Sequence, residues 1–171
     1  MLSKLVSRFQ FLPSEKLTIT SQKSIHELVQ NMSKVLSFER TFLDKFLRKK
    51  TEKKYEGQID GNQFQIKRII YYRNSFLPTI TGAFESSLDC TKIHIEMQMN
   101  SFVKVFLFLW FVMVLTVFLG FLVNSILTLT FHFLIFIPFG MFCILYGVVY
   151  LAFTFESRKS IRDLKEIFEI L

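Results

Sequence analysis

Residues 105–155 carry no Asp, Glu, Lys or Arg. Phe, Leu, Val and Ile fill most of this run, and only the stretch 124–130 interrupts it. A bilayer core about 30 Å thick is crossed by roughly 20 apolar helical residues. The run is long enough for two crossings and too long for one. It predicts a transmembrane hairpin, with helices at 101–123 and 131–155 and a short extracytoplasmic loop at 124–130. The rest of the chain is then what the hairpin holds at a membrane.

The 171 residues leave room for one domain of about 100 residues ahead of the hairpin. Net charge is +7, and residues 1–104 hold 17 of the 21 basic and 10 of the 14 acidic side chains. Positive-inside topology is the plain reading of this excess, and attraction to anionic headgroups the sharper one. Nucleic acid is a poor partner, because the basic residues form no aromatic-interleaved motif. Cys90 falls in the soluble part and Cys143 in the second span, so no disulfide is expected. The N-terminal residues show no apolar core of a leader and no small-residue cleavage site, which leaves the first span as the insertion signal.

Residues 1–16 read as a peripheral segment. Leu2, Leu5, Phe9 and Phe11 with Lys4 and Arg8 suit either a short amphipathic turn on a membrane or a frayed terminus. A domain at 17–100 follows. Residues 17–20 form a short strand, and Ser24 with Glu27 matches a capping box. Ile25, Leu28, Val29, Met32, Val35 and Leu36 then make one apolar helical stripe, with His26 off it. Residues 38–54 are charge-rich and fit a second short helix or a surface connection.

Beyond residue 54 the period falls to two. Tyr55, Gly57 and Ile59 alternate with polar residues, Asp60-Gly61 signals a turn, and Phe64 and Ile66 give the return strand. Ile80, Gly82 and Phe84 mark a third strand; Ile93, Ile95, Met97 and Met99 mark a fourth. The expected fold is α+β: a helix on a four- to five-stranded antiparallel sheet, wet on one side, then the hairpin, then an amphipathic C-terminal helix at 156–171.

Within the hairpin, Thr116, Gly120 and Asn124 recur every fourth residue, and Gly140, Cys143 and Gly147 form a matching small face. Small residues of this kind let helices approach closely. Pro138 is placed to kink the second span. Lys104 precedes the first span; Arg158, Lys159, Arg162 and Lys165 follow the second, and the connection is uncharged. Both termini are therefore expected in the cytoplasm, at an inner membrane. Ile161, Leu164, Ile167, Phe168 and Leu171 form a last stripe, placed against the domain in preference to the leaflet.

The stretch YEGQIDGNQFQIKRIIYYRNSFLPTITGAF, followed by a turn, TKIHIEM and the apolar hairpin, resembles a group of uncharacterised bacterial membrane proteins. These pair a small α+β cytoplasmic domain with two transmembrane helices. The likeness rests on Gly57, Phe64, Arg73-Asn74-Ser75, Pro78, Gly82 and Thr91. It implies the architecture and brings no activity. Cys90 stands where the resemblance implies Gly at the tight turn.

No CxxC, HExxH, GxSxG, Gly-rich phosphate loop or acidic calcium loop occurs. No cofactor, metal or catalytic residue is expected. Glu56 and Glu96 are placed to face each other across wet strands. Arg68, Tyr71, Tyr72, Arg73 and Asn74 are the candidate binding surface, because guanidinium forks and phenols hold phosphate or carboxylate. The alternative is that Arg73 and Asn74 merely fix the loop before Pro78. His132 is an ionisable group in a span, placed near its outer interface. Three functions remain: a non-enzymatic membrane protein presenting its domain to lipid or a protein partner, a subunit of an oligomeric transporter or channel, and a lipid-pocket domain.

Overall fold

The computed structural model describes residues 12–37, 53–130 and 133–168. Expectations for 1–11, for most of 38–54, for His132 and for Leu171 fall outside the described residues. The elements are β1 (Ser14–Ser21), α1 (Ile25–Val35), β2 (Leu36–Ser37), β3 (Tyr55–Asp60), β4 (Gln63–Arg68), β5 (Thr79–Ser86), β6 (Thr91–Gln98), α2 (Ser101–Thr128), a 3-10 turn (Phe133–Ile135) and α3 (Phe136–Ile167).

The sheet has six strands in the order β1-β6-β5-β4-β3-β2 and is mixed, not four- or five-stranded and antiparallel. The two-residue β2 accounts for the sixth strand and the mixed character, and β1 is longer than expected. β1 begins at Ser14, three residues before the expected strand, and pairs with β6 over its full length. β2 pairs parallel with β3 through Leu36 and Ser37. Leu36 completes the apolar stripe of α1, yet it is extended (φ −91°, ψ 136°). The incoming chain captures the carbonyls at that helix end: Lys54 N–H donates to Val35 O (3.2 Å) and Lys53 Nζ to Lys34 O (2.6 Å). Helix-end carbonyls lack partners of their own, so this exchange stops α1 cleanly.

The start of α1 is as read. Ser24 Oγ accepts from Glu27 N–H (3.4 Å), and Glu27 Oε2 accepts from Ser24 N–H (3.0 Å). Because β1 and β2 lie on opposite edges, α1 has to cross the sheet between them. It buries Leu28 and Met32 in the same core cluster as Ile80, Phe84, Ile93 and Ile95. His26 stays exposed.

Two glycines are sterically required. Gly57 sits at φ +148°, where a Cβ would come within 2.1 Å of Gln65 O on the paired strand. At Gly82 a Cβ would meet the Phe64 ring at 2.2 Å. The β3–β4 turn is centred on Gly61-Asn62, one residue later than expected, with only Gly61 at positive φ. In the β5–β6 loop, Ser87 N–H donates to Cys90 O (2.8 Å), and Cys90 does not take positive φ, so no glycine is needed there.

The hairpin differs from its expected bounds. α2 runs on to Thr128, through most of the expected loop, and ends on Leu129 in left-handed conformation (φ 52°). α3 continues without a break from the apolar run to Ile167, so 156–167 is no separate helix. Pro138 lies in the first turn of α3, where its missing N–H leaves nothing unpaired, and it starts the helix instead of kinking it. α2 and α3 meet through Leu107, Phe111, Phe142 and Val149, with the Phe111 and Phe142 rings 4.8 Å apart. A Cβ added at Gly120, Gly140 or Gly147 would meet nothing within 4 Å, and Thr116 and Cys143 are exposed. The expected small-residue faces are therefore not the contact between these two helices. Large apolar side chains fill the seam.

The end of α3 returns to the sheet. Leu164 and Phe168 are buried on its dry face, and Phe168 meets Phe84 edge-on at 6.1 Å. One apolar cluster thus runs from α1 through the sheet into the α2–α3 seam.

On the wet face, Glu56 and Glu96 are not neighbours, since β4 and β5 lie between their strands. Glu96 takes Lys16 (2.7 Å) and Gln98 Nε2 (2.7 Å), and Gln98 Oε1 accepts from Lys104 Nζ (2.7 Å). The bond from Lys16, then that from Gln98, holds the Glu96 carboxyl below its usual range. His94 does the same for Glu85 across 2.8 Å.

Gly57→Ala should destabilise the fold by about 2 kcal/mol or more, read by thermal unfolding in detergent. A loss under about 0.5 kcal/mol would show that β3 has room for a side chain. The depressed Glu96 carboxyl stabilises the fold above its unfolded value, and that stabilisation fades as pH falls through its folded value, below 4.5. Glu96→Gln should flatten this acid limb by less than about 1 kcal/mol, as suits a half-exposed pair.

Candidate functional site

Arg68 ends a strand whose inward residues are Phe64 and Ile66. Alternation places it on the dry face, where a guanidinium needs anionic partners. α3 supplies them. Arg68 Nη1 lies 3.3 Å from Glu156 Oε2, and Arg68 Nε lies 3.3 Å from Asp163 Oδ2. Glu156 is 1% exposed, although it immediately follows the uncharged run. Its second oxygen accepts a hydrogen bond from Tyr72 Oη. Desolvation, then this bond, pushes the Tyr72 phenol up to about 12.

Beneath the ion pairs lie three hydroxyls. Tyr55 Oη, Ser157 Oγ and Ser160 Oγ are buried and make no well-formed hydrogen bond among the described residues, Ser160 being near enough to Tyr55 for a weak one. Tyr55 is the cross-strand partner of Arg68. Burial, reinforced by the nearby Asp163, raises the Tyr55 phenol above its ordinary range. Glu156, Ser160 and Asp163 fall at i, i+4 and i+7, one face of α3 turned to the sheet. This polar joint fastens the domain to the helix that leaves it.

The joint also sets the 71–76 loop. Tyr72 is tied to Glu156, and Asn74 Oδ1 accepts from Phe76 N–H (3.0 Å). The loop stands beside α3 and encloses with it an open cavity of about 970 Å³. Arg73, Arg158 and Lys159 line its polar end; Val148, Leu151 and Phe155 line its apolar end. Lys159 Nζ sits 5.0 Å from the Phe155 ring centre. Arg73, Arg158 and Lys159 are in no ion pair among the described residues.

The five expected binding residues thus divide. Arg68 points inward; Tyr72 is exposed at the cavity and braces the joint only through its hydroxyl on Glu156. Asn74 holds a local turn by accepting from the Phe76 N–H, where the expected structural role was a bond to backbone carbonyls. Arg73 lines the cavity together with Tyr72 and Asn74, and Tyr71 is exposed. Sequence reasoning missed Glu156, Asp163, Tyr55, Ser157 and Ser160 as a group. The signal was there: Phe153, Glu156, Ser157, Ser160 and Leu164 share one helical face, so its polar members had to be buried with its apolar ones.

A second cavity, an apolar groove of about 930 Å³, lies beside the α2–α3 seam, lined by α2, the start of α3, Leu12, Pro13 and Ser14, with Lys104 and Gln98 also in its wall. Among the described residues no group of His, Cys, Asp and Glu is arranged to hold a metal ion. Cys90 and Cys143 are free thiols. No known family, curated protein or solved structure matches this chain.

Removing one partner strands a buried charge, so Arg68→Ala should destabilise the fold by about 3 kcal/mol. Arg68→Met with Glu156→Leu and Asp163→Leu, which removes the guanidinium together with both of its carboxylates, should recover most of it. Chemical denaturation in detergent measures both. A loss under about 1 kcal/mol in the single variant would show that the joint is not a structural requirement.

Proposed function

We propose that the chain is a non-enzymatic integral membrane protein that presents its small α+β domain at the inner leaflet for contact with lipid or a protein partner. One observation carries this reading. α2 and α3 are long and apolar enough to cross a membrane, yet only 17% of the apolar window of each is buried. Soluble proteins rarely leave an apolar patch larger than a few hundred Å² open to water. A bilayer is the medium that accepts such a surface. The resemblance noted for residues 55–102 agrees with this architecture. The positive-inside rule then puts both termini in the cytoplasm and the 129–135 connection outside.

A subunit of an oligomeric transporter or channel is the second reading. Its support is that Thr116, Gly120, Gly140, Cys143 and Gly147 lie outside the α2–α3 seam, where another copy can reach them. Two helices from one copy cannot line a pore. A lipid-pocket function, the third reading, would use the groove beside the α2–α3 seam, because core side chains fill the space between α1 and the sheet.

The protein should stay in the membrane pellet through an alkaline carbonate wash, and release into the supernatant would overturn the reading. A reporter fused after Leu171 should be active in the cytoplasm; periplasmic activity would reverse the topology. Native mass spectrometry after gentle extraction separates the first two readings: retained lipid or a foreign protein supports the first, and a bare homo-oligomer of fixed number the second.

A further inference from the structure

We propose that the cavity between the 71–76 loop and α3 holds the phosphate of an anionic phospholipid. This rests on the membrane reading above and names the ligand for one site within it. The cavity changes character along its length. On α3 its wall runs from Val148 through Leu151 and Phe155 to Arg158 and Lys159, at i, i+3, i+7, i+10 and i+11. Those positions lie near one helical face, so the wall is apolar at one end and basic at the other. The change falls where the uncharged run ends, which is the depth of the headgroups.

Positive-inside topology accounts for Arg158 and Lys159 alone. It does not account for Arg73, which comes from a loop far away in sequence. That loop is held at α3 by Tyr72 on Glu156 and by the Asn74–Phe76 turn. Nor does the cavity neutralise its own cations. Among the described residues Glu156 is the one acid in its lining, and its oxygens are engaged by Arg68 and Tyr72. Asp163, the next acid on that face of α3, is paired with Arg68 as well. Three cations are left facing one cavity; Glu156 and Asp163 share the one Arg68 guanidinium and keep a single net negative charge, so the region stays two charges positive. A guanidinium fork and an ammonium suit a phosphodiester, and the apolar end suits the first methylenes of its acyl chains. A soluble partner is the poorer fit, because half of the wall belongs to the apolar run.

The test uses the full chain in a neutral detergent. Dioleoyl phosphatidylglycerol and dioleoyl phosphatidylcholine are titrated separately, and bound lipid is counted by native mass spectrometry. The wild type should retain the glycerol lipid in preference to the choline lipid. Removing a well-placed cation weakens such binding about fivefold, so Arg73→Gln with Lys159→Gln should weaken it about 25-fold. Arg73→Lys, which keeps charge but loses the fork, should fall in between. Lys92→Gln, on the wet face at the far end of β6, should bind as the wild type does. Unfolding temperatures of all variants confirm that the fold is kept.

Equal retention of the two lipids by the wild type would overturn the proposal. So would undiminished binding by the double variant, or an equal loss in Lys92→Gln, which would mean bulk charge only. Displacement of the lipid by millimolar inorganic phosphate would reassign the cavity to free phosphate. The carbonate wash reports membrane integration independently. A pelleted chain without lipid preference sinks this site alone, whereas a chain in the supernatant sinks both readings.

Discussion

A carboxylate removed from water must be matched or it unfolds its surroundings. Glu156 is such a group, and much of the structure follows from how it is matched. It sits one residue past the uncharged run, on the face of α3 that turns to the sheet. Arg68 answers from the end of β4 and Tyr72 from the loop beyond it. The consequence is geometric. The long apolar helix cannot rotate about its axis without exposing an unpaired charge, so the rotation that seats Leu164 and Phe168 on the sheet is the one the ion pairs require. Phe84 against Phe168 then closes the same interface with apolar contact. Polar groups set the register, and apolar area supplies the stabilisation.

The sheet was largely legible in the sequence, because its strands alternate cleanly. Phe64 and Ile66 in β4, and Ile93, Ile95 and Met97 in β6, needed only the period of two. The edges were harder to read. Residues 14–16 show no alternation that separates them from a loose terminus; they become strand because β6 offers a partner along its whole length. Leu36 obeyed the helical stripe, and a tertiary hydrogen bond at Val35 overrode it. Local pattern carries no information about an incoming strand more than fifteen residues later.

The candidate site was half legible for a related reason. Guanidinium forks and phenols at 68–74 flagged the right segment. What each side chain does depends on which face it occupies. The alternation that put Ile66 in the core puts Arg68 there too, and the helical face that buries Leu164 also takes Glu156 and Ser160. Two charged residues on two apolar faces identify each other as partners. Treating charge as a mark of exposure hid this pair, and it made the exposed Arg73 look like a companion of Arg68. The small residues of the hairpin misled in another way: spacing says that a close approach is possible, not which helix makes it.

The continuity of α3 has a mechanical corollary. From Phe136 to Ile167 it is one rod, about 48 Å long at 1.5 Å per residue, with no proline or glycine between its apolar half and its sheet-bound half after Gly147. Embedded helices answer a change in bilayer thickness by tilting. A tilt of about 10° displaces one end of such a rod relative to the other by about 8 Å. With the far end clamped to the sheet by Arg68 and Phe84, the displacement reaches the domain as a change of position and not of shape. On the proposed membrane reading, a change of bilayer thickness would therefore swing the domain sideways along the surface it faces, with no bond in it broken.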